Sequence, residues 1–401
     1  MRNPSYDDLS KEQDAICVLA PLDGATLVSG PPGTGKTVVA FYRAEVAAKK
    51  QQAPRLVMYN NVLRKYSSNA SENKTVKEGV DTFFAWFGRW WGRVFKELYP
   101  QVGPFCPDWS RMITRAFALA SDSSFRQRAF EQWGHVIIDE GQDFAPGFYQ
   151  VAAIVLAQAS ASGAHGVAMT VLADENQRLD ADTNSCISDI ERFLAIPPNR
   201  HYVLNRNYRN TYEIAKVAAH FYCGLRSGIP ALPDGRHGAK PRMLRVDDLD
   251  ASVEVIRRFV TNQSDLEVGV FLSTKAMQVK YYNKLYHRLK DVKGVVVQRF
   301  TSNDEAHGDA DKLVFDRPGT VTVLCDSSCK GLEFDAVFIP EIQARSWSPA
   351  KVTHMRMNLY VLSSRARHHL TYLYSAAAGE QVPILDQFPS PQSGLLERTN
   401  V

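Results

Sequence analysis

Short apolar runs closed by polar clusters recur along this chain and alternate with stretches of helical periodicity. Ala25–Val28, Arg55–Tyr59, His135–Ile138 and Met169–Ala173 are rich in aliphatic and β-branched residues. They lack an alternating polar face, as expected of strands buried on both sides of a parallel sheet. Helical stretches lie between them, from Thr37 to about Lys49, Trp109 to Ala120 and Ser123 to Trp133. Near the start, Ser10 can cap a helix running through Ala15, Ile16 and Val18. On these grounds alone Gln13, one turn in, reads as a surface residue. The second half repeats the alternation, with strands at His201–Leu204, Met243–Val246, Val268–Leu272, Val295–Phe300, Val321–Cys325, Ala336–Ile339 and Leu370–Tyr374, and a helix from Thr211 to Phe221. Two doubly wound α/β units in tandem are therefore predicted.

Residues 83, 84, 87, 90, 91, 94, 95 and 98 fall on one broad face of a predicted helix, with Arg89, Arg93 and Lys96 opposite. Continuity of this aromatic stripe favours a helix packed into the core; the alternative is a stacking platform for single-stranded bases. Asn69–Gly79 and Gly228–Lys240 read as loops, Pro100–Pro107 as a connector, Ser302–Asp311 as an exposed insertion, and the Pro/Ser-rich Pro383–Val401 as a loosely packed end.

Chemistry enters at Gly30-Pro31-Pro32-Gly33-Thr34-Gly35-Lys36-Thr37, between the first strand and its helix. This is the complete phosphate-binding loop pattern in its strand–loop–helix setting. Its glycines let backbone N–H groups turn inward on phosphate oxygens, and the helix behind adds its positive dipole end. Lys36 is expected at the β- and γ-phosphates of ATP, and the Thr37 hydroxyl on Mg²⁺. The apolar run before Asp139-Glu140 should bring that pair up beside the loop. Asp139 is then expected to hold Mg²⁺, and Glu140 to polarise the attacking water. Asp174 and Gln177, after the next strand, point at the same crevice.

Bulk composition changes this picture little. The chain has 401 residues, enough for two or three domains, with a net charge of +4 that permits a nucleic-acid partner without requiring one. No run approaches the roughly 18 apolar residues of a membrane span, so no membrane partner is expected. The start lacks an apolar leader, which makes a cytoplasmic location the default. Six scattered cysteines without a Cys-x-x-Cys pair read as reduced, mostly buried thiols.

In their order, these motifs resemble those of superfamily-one helicases of the UvrD/Rep type, over Gln13 to about Tyr374. The resemblance implies two RecA-like parallel-sheet domains, residues 1–200 and 201–388, with a tail at 389–401. A reduced helical segment at about 86–132 would be inserted in the first, and little or nothing in the second. Gln13 resembles the adenine-reading glutamine. Arg55–Lys65 and Val80–Phe84 resemble two segments that touch single-stranded DNA, implying contacts from Tyr59, Asn60, Asn61, Thr82 and Phe83. Asp139-Glu140-Gly141-Gln142 matches the Mg²⁺ and hydrolysis motif, and Gln177 the γ-phosphate sensor. Asn207-Tyr208-Arg209 implies Tyr208 on adenine and Arg209 at the γ-phosphate. Lys330-Gly331-Leu332-Glu333-Phe334 implies Glu333 near the ribose, and Tyr360–Arg367 implies Arg365 as an arginine finger.

Departures are specific. Arg178-Leu179-Asp180 lacks the aromatic that usually follows the γ-phosphate sensor, Cys325 and Ser327 stand where Thr and His are usual, and Ser364 replaces a Thr. The implied enzyme is an Mg²⁺-dependent ATP hydrolase. Its first reading is a translocase or helicase on single-stranded DNA, with 3′-to-5′ polarity implied by the family. The alternative is a DNA-sensing ATPase switch regulating a nuclease partner in a repair or defence complex, as in Gabija-type anti-phage systems. A small-molecule kinase would give Tyr208, Arg209 and Arg365 nothing to do.

Overall fold

The computed structural model describes residues 6–59, 61–67, 73–103, 106–177, 183–224, 228–301, 304, 306–377 and 380–401. It begins with α1 (Lys11–Val18), started by a reciprocal cap in which Ser10 accepts from the Gln13 backbone and the Gln13 side chain accepts from the Ser10 backbone. The sequence then runs β1 (Gly24–Ser29), α2 (Lys36–Lys49), β2 (Pro54–Met58), α3 (Asn61–Ser67), α4 (Lys74–Glu78) and β3 (Val80–Thr82). A helical insertion follows: α5 (Phe83–Phe95), the small antiparallel pair β4 (Gln101–Gly103) and β5 (Cys106–Pro107), α6 (Trp109–Ala116), α7 (Ala118–Ser121) and α8 (Ser123–Trp133). After it come β6 (His135–Ile138), α9 (Pro146–Ala161), β7 (Ala168–Ala173), α10 (Ile187–Phe193) and β8 (His201–Val203).

These strands form a six-stranded sheet ordered β3-β2-β6-β7-β1-β8, parallel at every pairing. β8 pairs with β1 and so completes the first sheet, although its place in the sequence suggested the start of the second unit. β7 also lies between β6 and β1, so the strand carrying Asp139 is one removed from the phosphate loop rather than its neighbour.

The second lobe contains α11 (Tyr212–His220), β9 (Arg242–Val246), α12 (Leu249–Asn262), β10 (Val268–Leu272), α13 (Lys275–Leu289), β11 (Val296–Arg299), β12 (Thr320–Cys325), β13 (Phe334–Ile339), α14 (Val352–Ser363), β14 (Ala366–Ser375) and β15 (Glu397–Asn400). Its seven strands run β11-β12-β10-β13-β14-β9-β15, again all parallel. The fold is thus two RecA-like α/β lobes in tandem. The end of the chain is not loosely packed: β15 pairs with β9, and Ile384, Phe388 and Leu396 are buried. Apolar side chains within the Pro/Ser-rich stretch explain the difference: Phe388 packs its ring against Phe221, just after α11, and Tyr372 of β14.

Three apolar layers hold this arrangement. One lies on the outer face of the first sheet and one on the outer face of the second. The third is continuous across both lobes, joining Val39 and Phe41 of α2 to Phe271, Leu332 and Phe334. The aromatic stripe belongs to the first layer: Phe83, Trp86, Phe87, Trp90, Trp91 and Phe95 are all buried. Of the six thiols only Cys17 and Cys329 are buried, so the expectation of mostly buried cysteines fails for the others.

Candidate functional site

The loop after β1 takes its shape from two glycines with positive φ, Gly33 at 83° and Gly35 at 84°. A Cβ on Gly33 would approach Asn207 Oδ1 to 2.6 Å, and one on Gly35 would run into the Gln13 side-chain amide. With these dihedrals, a side chain at either position would strain the backbone. α2 then starts at Lys36, so the loop caps its positive end. Lys36 Nζ donates to the carbonyl oxygens of Gly30 (2.7 Å) and Pro31 (3.1 Å) and lies 3.7 Å from Asp174. Thr37 Oγ1 donates to Asp139 Oδ2 at 2.7 Å.

Gln13 is buried, not a surface residue. Its Nε2 donates to the Thr34 carbonyl at 3.1 Å, fixing α1 to the loop. Arg43 of α2, fully buried, reinforces the junction by donating to the carbonyls of Ile16, Ala20 and Pro21.

Asp139 and Glu140 leave the end of β6 with Glu140 in the left-handed region (φ 56°), a conformation rare for a residue with a Cβ. Burial, and next the adjacent Glu140, push the Asp139 carboxyl up to about 6. Burial also acts to raise Glu140, but Lys36, Lys330 and Arg365 together outweigh it and hold that carboxyl below its usual range. Glu140 is therefore the more readily ionised member of the pair.

A hydrogen-bonded chain leads away from it. Gln142 Nε2 donates to Glu140 Oε2 (2.7 Å), the Asp174 backbone N–H donates to Gln142 Oε1 (2.8 Å), and Gln177 Nε2 donates to Asp174 Oδ2 (2.7 Å). The chain ends at Arg365, which donates to Gln177 Oε1 from the second lobe.

Other second-lobe groups close on the same place. The Tyr208 backbone N–H donates to the Gly33 carbonyl at 2.8 Å. Arg209 Nε donates to Glu333 Oε2 at 2.8 Å, and Arg367 contacts the same carboxylate at 3.3 Å. Burial alone would raise the Glu333 pKa, but Arg209 and Arg367 hold its carboxyl far below the usual range. Lys330 forms a buried ion pair with Asp143 across the lobes. Burial nevertheless pushes the Asp143 carboxyl up to about 6.

The result is a cavity of about 460 Å³. Of the residues singled out from the sequence, Gln13, Pro32, Gly33, Gly35, Lys36, Thr37, Glu140, Gln177, Tyr208, Arg209, Glu333 and Arg365 line it. Gly30, Pro31, Thr34 and Asp139 do not; they support the loop and Thr37 from behind. Asp8 also lines the cavity, and nothing in its local sequence pointed there. Asn210 escaped the sequence reading too, although it follows Arg209 directly. Its amide donates to the carbonyls of Ser364 (3.1 Å) and Ala366 (2.5 Å), tying the Tyr208–Arg209 loop to the Arg365 segment.

The predicted strand contacts fare differently. Tyr59 is exposed with its ring edge against Phe144, Asn61 is exposed at the start of α3, and Thr82 is half-buried before α5. Asn60 lies outside the described residues, as do Arg178, Leu179 and Asp180. Phe83 has no face to offer a base. Its ring packs among Phe84, Phe87, Phe144 and Phe148 because it opens the buried stripe of α5.

The donor set around Thr37 suits magnesium. A hydroxyl and the carboxylates of Asp139 and Glu140 are hard oxygen ligands, and Mg²⁺ commonly takes one or two carboxylates with the rest of its shell from substrate phosphates and water.

No protein-family model matches this sequence, and no curated protein matches it. Among the solved structures that it matches are two of helicases. The C-terminal domain of a possible DNA helicase from Lactobacillus plantarum is 21% identical with a TM-score of 0.33, over 47% of this chain and 97% of that one. The DUF1998 helicase MrfA bound to DNA is 11% identical with a TM-score of 0.47, over 93% of this chain and 49% of that one. At these scores neither likeness adds to the fold already described.

Proposed function

We propose that this chain is an ATP hydrolase of the helicase kind, which turns over ATP between its lobes and couples the cycle to a single strand of DNA. One observation carries this reading: Arg209 and Arg365, from different segments after β8, line the same cavity as Lys36, Thr37 and Glu140. A triphosphate needs a cradle, a cation at its β- and γ-phosphates, a base for water, and positive charge at the transition state. The backbone N–H groups of the loop and Lys36 supply the first two. Glu140, held ionised, orients the attacking water and accepts its proton, while Arg209 and Arg365 offset the charge that develops on the γ-phosphate. Thr37 and Asp139 would hold Mg²⁺, which would supply positive charge against the developing negative charge of the phosphates. Gln13 and Tyr208 border the adenine end, and Glu333 the ribose.

Because hydrolysis requires cations from the second lobe, turnover is tied to how the lobes meet, and a strand lying across both would be gripped alternately. By its resemblance to UvrD/Rep-type helicases, the proposed motion runs 3′ to 5′. The short insertions, with Cys325 and Ser327 at the places where Thr and His are usual, support a second reading, in which the strand is sensed rather than pulled and the ATPase switches a nuclease partner.

Measuring ATP turnover with and without single-stranded DNA, beside a strand-displacement assay, tests both. Stimulation with unwinding selects the motor, and stimulation without unwinding selects the switch. Absence of any response to nucleic acid discards both. Lys36→Ala should abolish turnover, and surviving activity would show that the site is misassigned.

A further inference from the structure

A second, smaller pocket of about 190 Å³ lies at the outer edge of the first sheet, where β3 and the start of β2 meet α5. It shares no residue with the nucleotide cavity. Its chemistry is set by three guanidinium groups. Arg55 comes from β2, while Arg89 and Arg93 stand three and seven positions after Trp86, on one stripe of α5. Arg89 is ion-paired with Asp81, and Arg93 donates to Gln132 Oε1 at 2.7 Å. The Glu78 carboxylate on the rim faces solvent and pairs with Lys74 at 3.7 Å.

Arg55 is the exception. It is half-buried, and its guanidinium makes no hydrogen bond or ion pair among the described residues. Burial, and then the proximity of Arg93 and Arg89, lower its pKa, and no carboxylate acts in the opposite direction. Trp86 lines the same pocket, and its indole N–H is buried without an acceptor. A cation drawn partly out of water beside two like charges is costly, and a buried N–H left unpaired adds to the cost. The Arg55 guanidinium, without an acceptor and beside two further cations in the same pocket, lacks an anion.

We infer that this pocket binds an oxyanion of phosphate or pyrophosphate size, with Arg55 as its principal ligand and Arg93 as a supporting donor. Guanidinium forks match the paired oxygens of a phosphate group. The volume falls below the range of about 300–1,000 Å³ that takes drug-sized ligands, so the pocket accommodates the phosphate group and not a whole nucleotide. The group can come from a free ion or from the terminal phosphate of a strand. The site stands independently of the reading given to the nucleotide cavity.

Calorimetric titration of the full chain tests this, with the nucleotide cavity first saturated by a magnesium complex of a non-hydrolysable ATP analogue and the ionic strength fixed with chloride. Inorganic phosphate and pyrophosphate should each bind at one site per chain. Arg55→Gln should weaken that binding at least tenfold and Arg93→Gln should weaken it less, with affinity for the ATP analogue unchanged in both. Arg55→Gln should not lower the unliganded Tm, because it removes an unpartnered charge from beside two others. Oligonucleotides with a 5′-phosphate or a 5′-hydroxyl distinguish the sources: an Arg55-dependent preference for the phosphorylated end identifies a strand terminus, and equal binding of the two identifies the free ion. Absence of phosphate binding to the unaltered chain overturns the inference. Undiminished binding by Arg55→Gln does so too, as does a lowered unliganded Tm, which would make Arg55 structural. Should Arg55→Gln fail to fold, the exposed Arg93→Gln decides in the same way.

Discussion

Arg365 of the second lobe donates a hydrogen bond to the side-chain oxygen of Gln177 in the first, and both side chains are buried where they meet. The same guanidinium donates to the Val361 carbonyl at 3.0 Å, so its position is fixed from both lobes. Arg365→Ala should therefore leave ATP-analogue binding within a few-fold of the unaltered chain. Turnover should fall by about 10³–10⁵, the usual worth of an arginine finger. Equilibrium binding beside single-turnover hydrolysis checks this. A binding defect as large as the rate defect would remove Arg365 from the catalytic role.

Glu140→Gln should abolish most turnover while sparing binding. Removing the charge beside Asp139 eliminates one of the causes raising that carboxyl, so the metal-bound nucleotide should bind as tightly as before or tighter. Loss of a general base costs about 10²–10⁴ in rate. A variant that hydrolyses ATP within tenfold of normal would point to another base.

How far these groups could be read from the sequence depended on whether the signal was local. The phosphate loop, Asp139-Glu140 and the capped α1 are short contiguous patterns whose physics is complete within a few residues, and the structure has all three where they were expected. From its local sequence Gln13 reads as a surface residue, because its partner is the Thr34 carbonyl twenty-one positions away; only the resemblance points it to the nucleotide. Phe83 carried two compatible meanings, and only packing against Phe144 and Phe148 on other elements decided between them. β8 and β15 are short strands whose sheet membership depends on non-local partners. Asn210 shows the same limit, since its work is done on carbonyls more than 150 positions further along.

Gln13→Ala should separate binding from chemistry. The side chain holds the loop at Thr34 and closes the cap at Ser10, so its loss should lower the Tm by the equivalent of about 1 kcal/mol. It should also raise KM for ATP with little change in kcat. Gly35→Ala should be harsher, because the position combines a φ of 84° with a Cβ that collides with the Gln13 amide. Nucleotide binding should be lost while the far-UV circular dichroism stays close to normal. Retained binding would mean that the loop can rearrange without that glycine.

His135 gives the stability a pH dependence. It is buried between Gln52 and Thr170, and burial, with Arg43 as a lesser cause, pushes its pKa down to about 3. The folded chain keeps it neutral where the unfolded chain, near 6.5, takes up a proton. The unfolded state thus binds more protons between these values, and stability falls as the pH drops from about 6.5 towards 3, by at most about 1.4 kcal/mol per pH unit from this residue. Denaturant titrations across that window should show the slope, and His135→Gln should flatten it. An unchanged slope would assign acid sensitivity elsewhere.

β15 has a consequence for handling the molecule. Its residues hydrogen-bond to Arg242–Arg245 of β9 and form the outermost strand of the second lobe. Trimming the chain before Glu397 would leave β9 with a row of bare amides and carbonyls, a ready template for another copy to add onto. Shortened versions prepared for crystallisation would therefore tend to self-associate, and fusions are better joined at the other end.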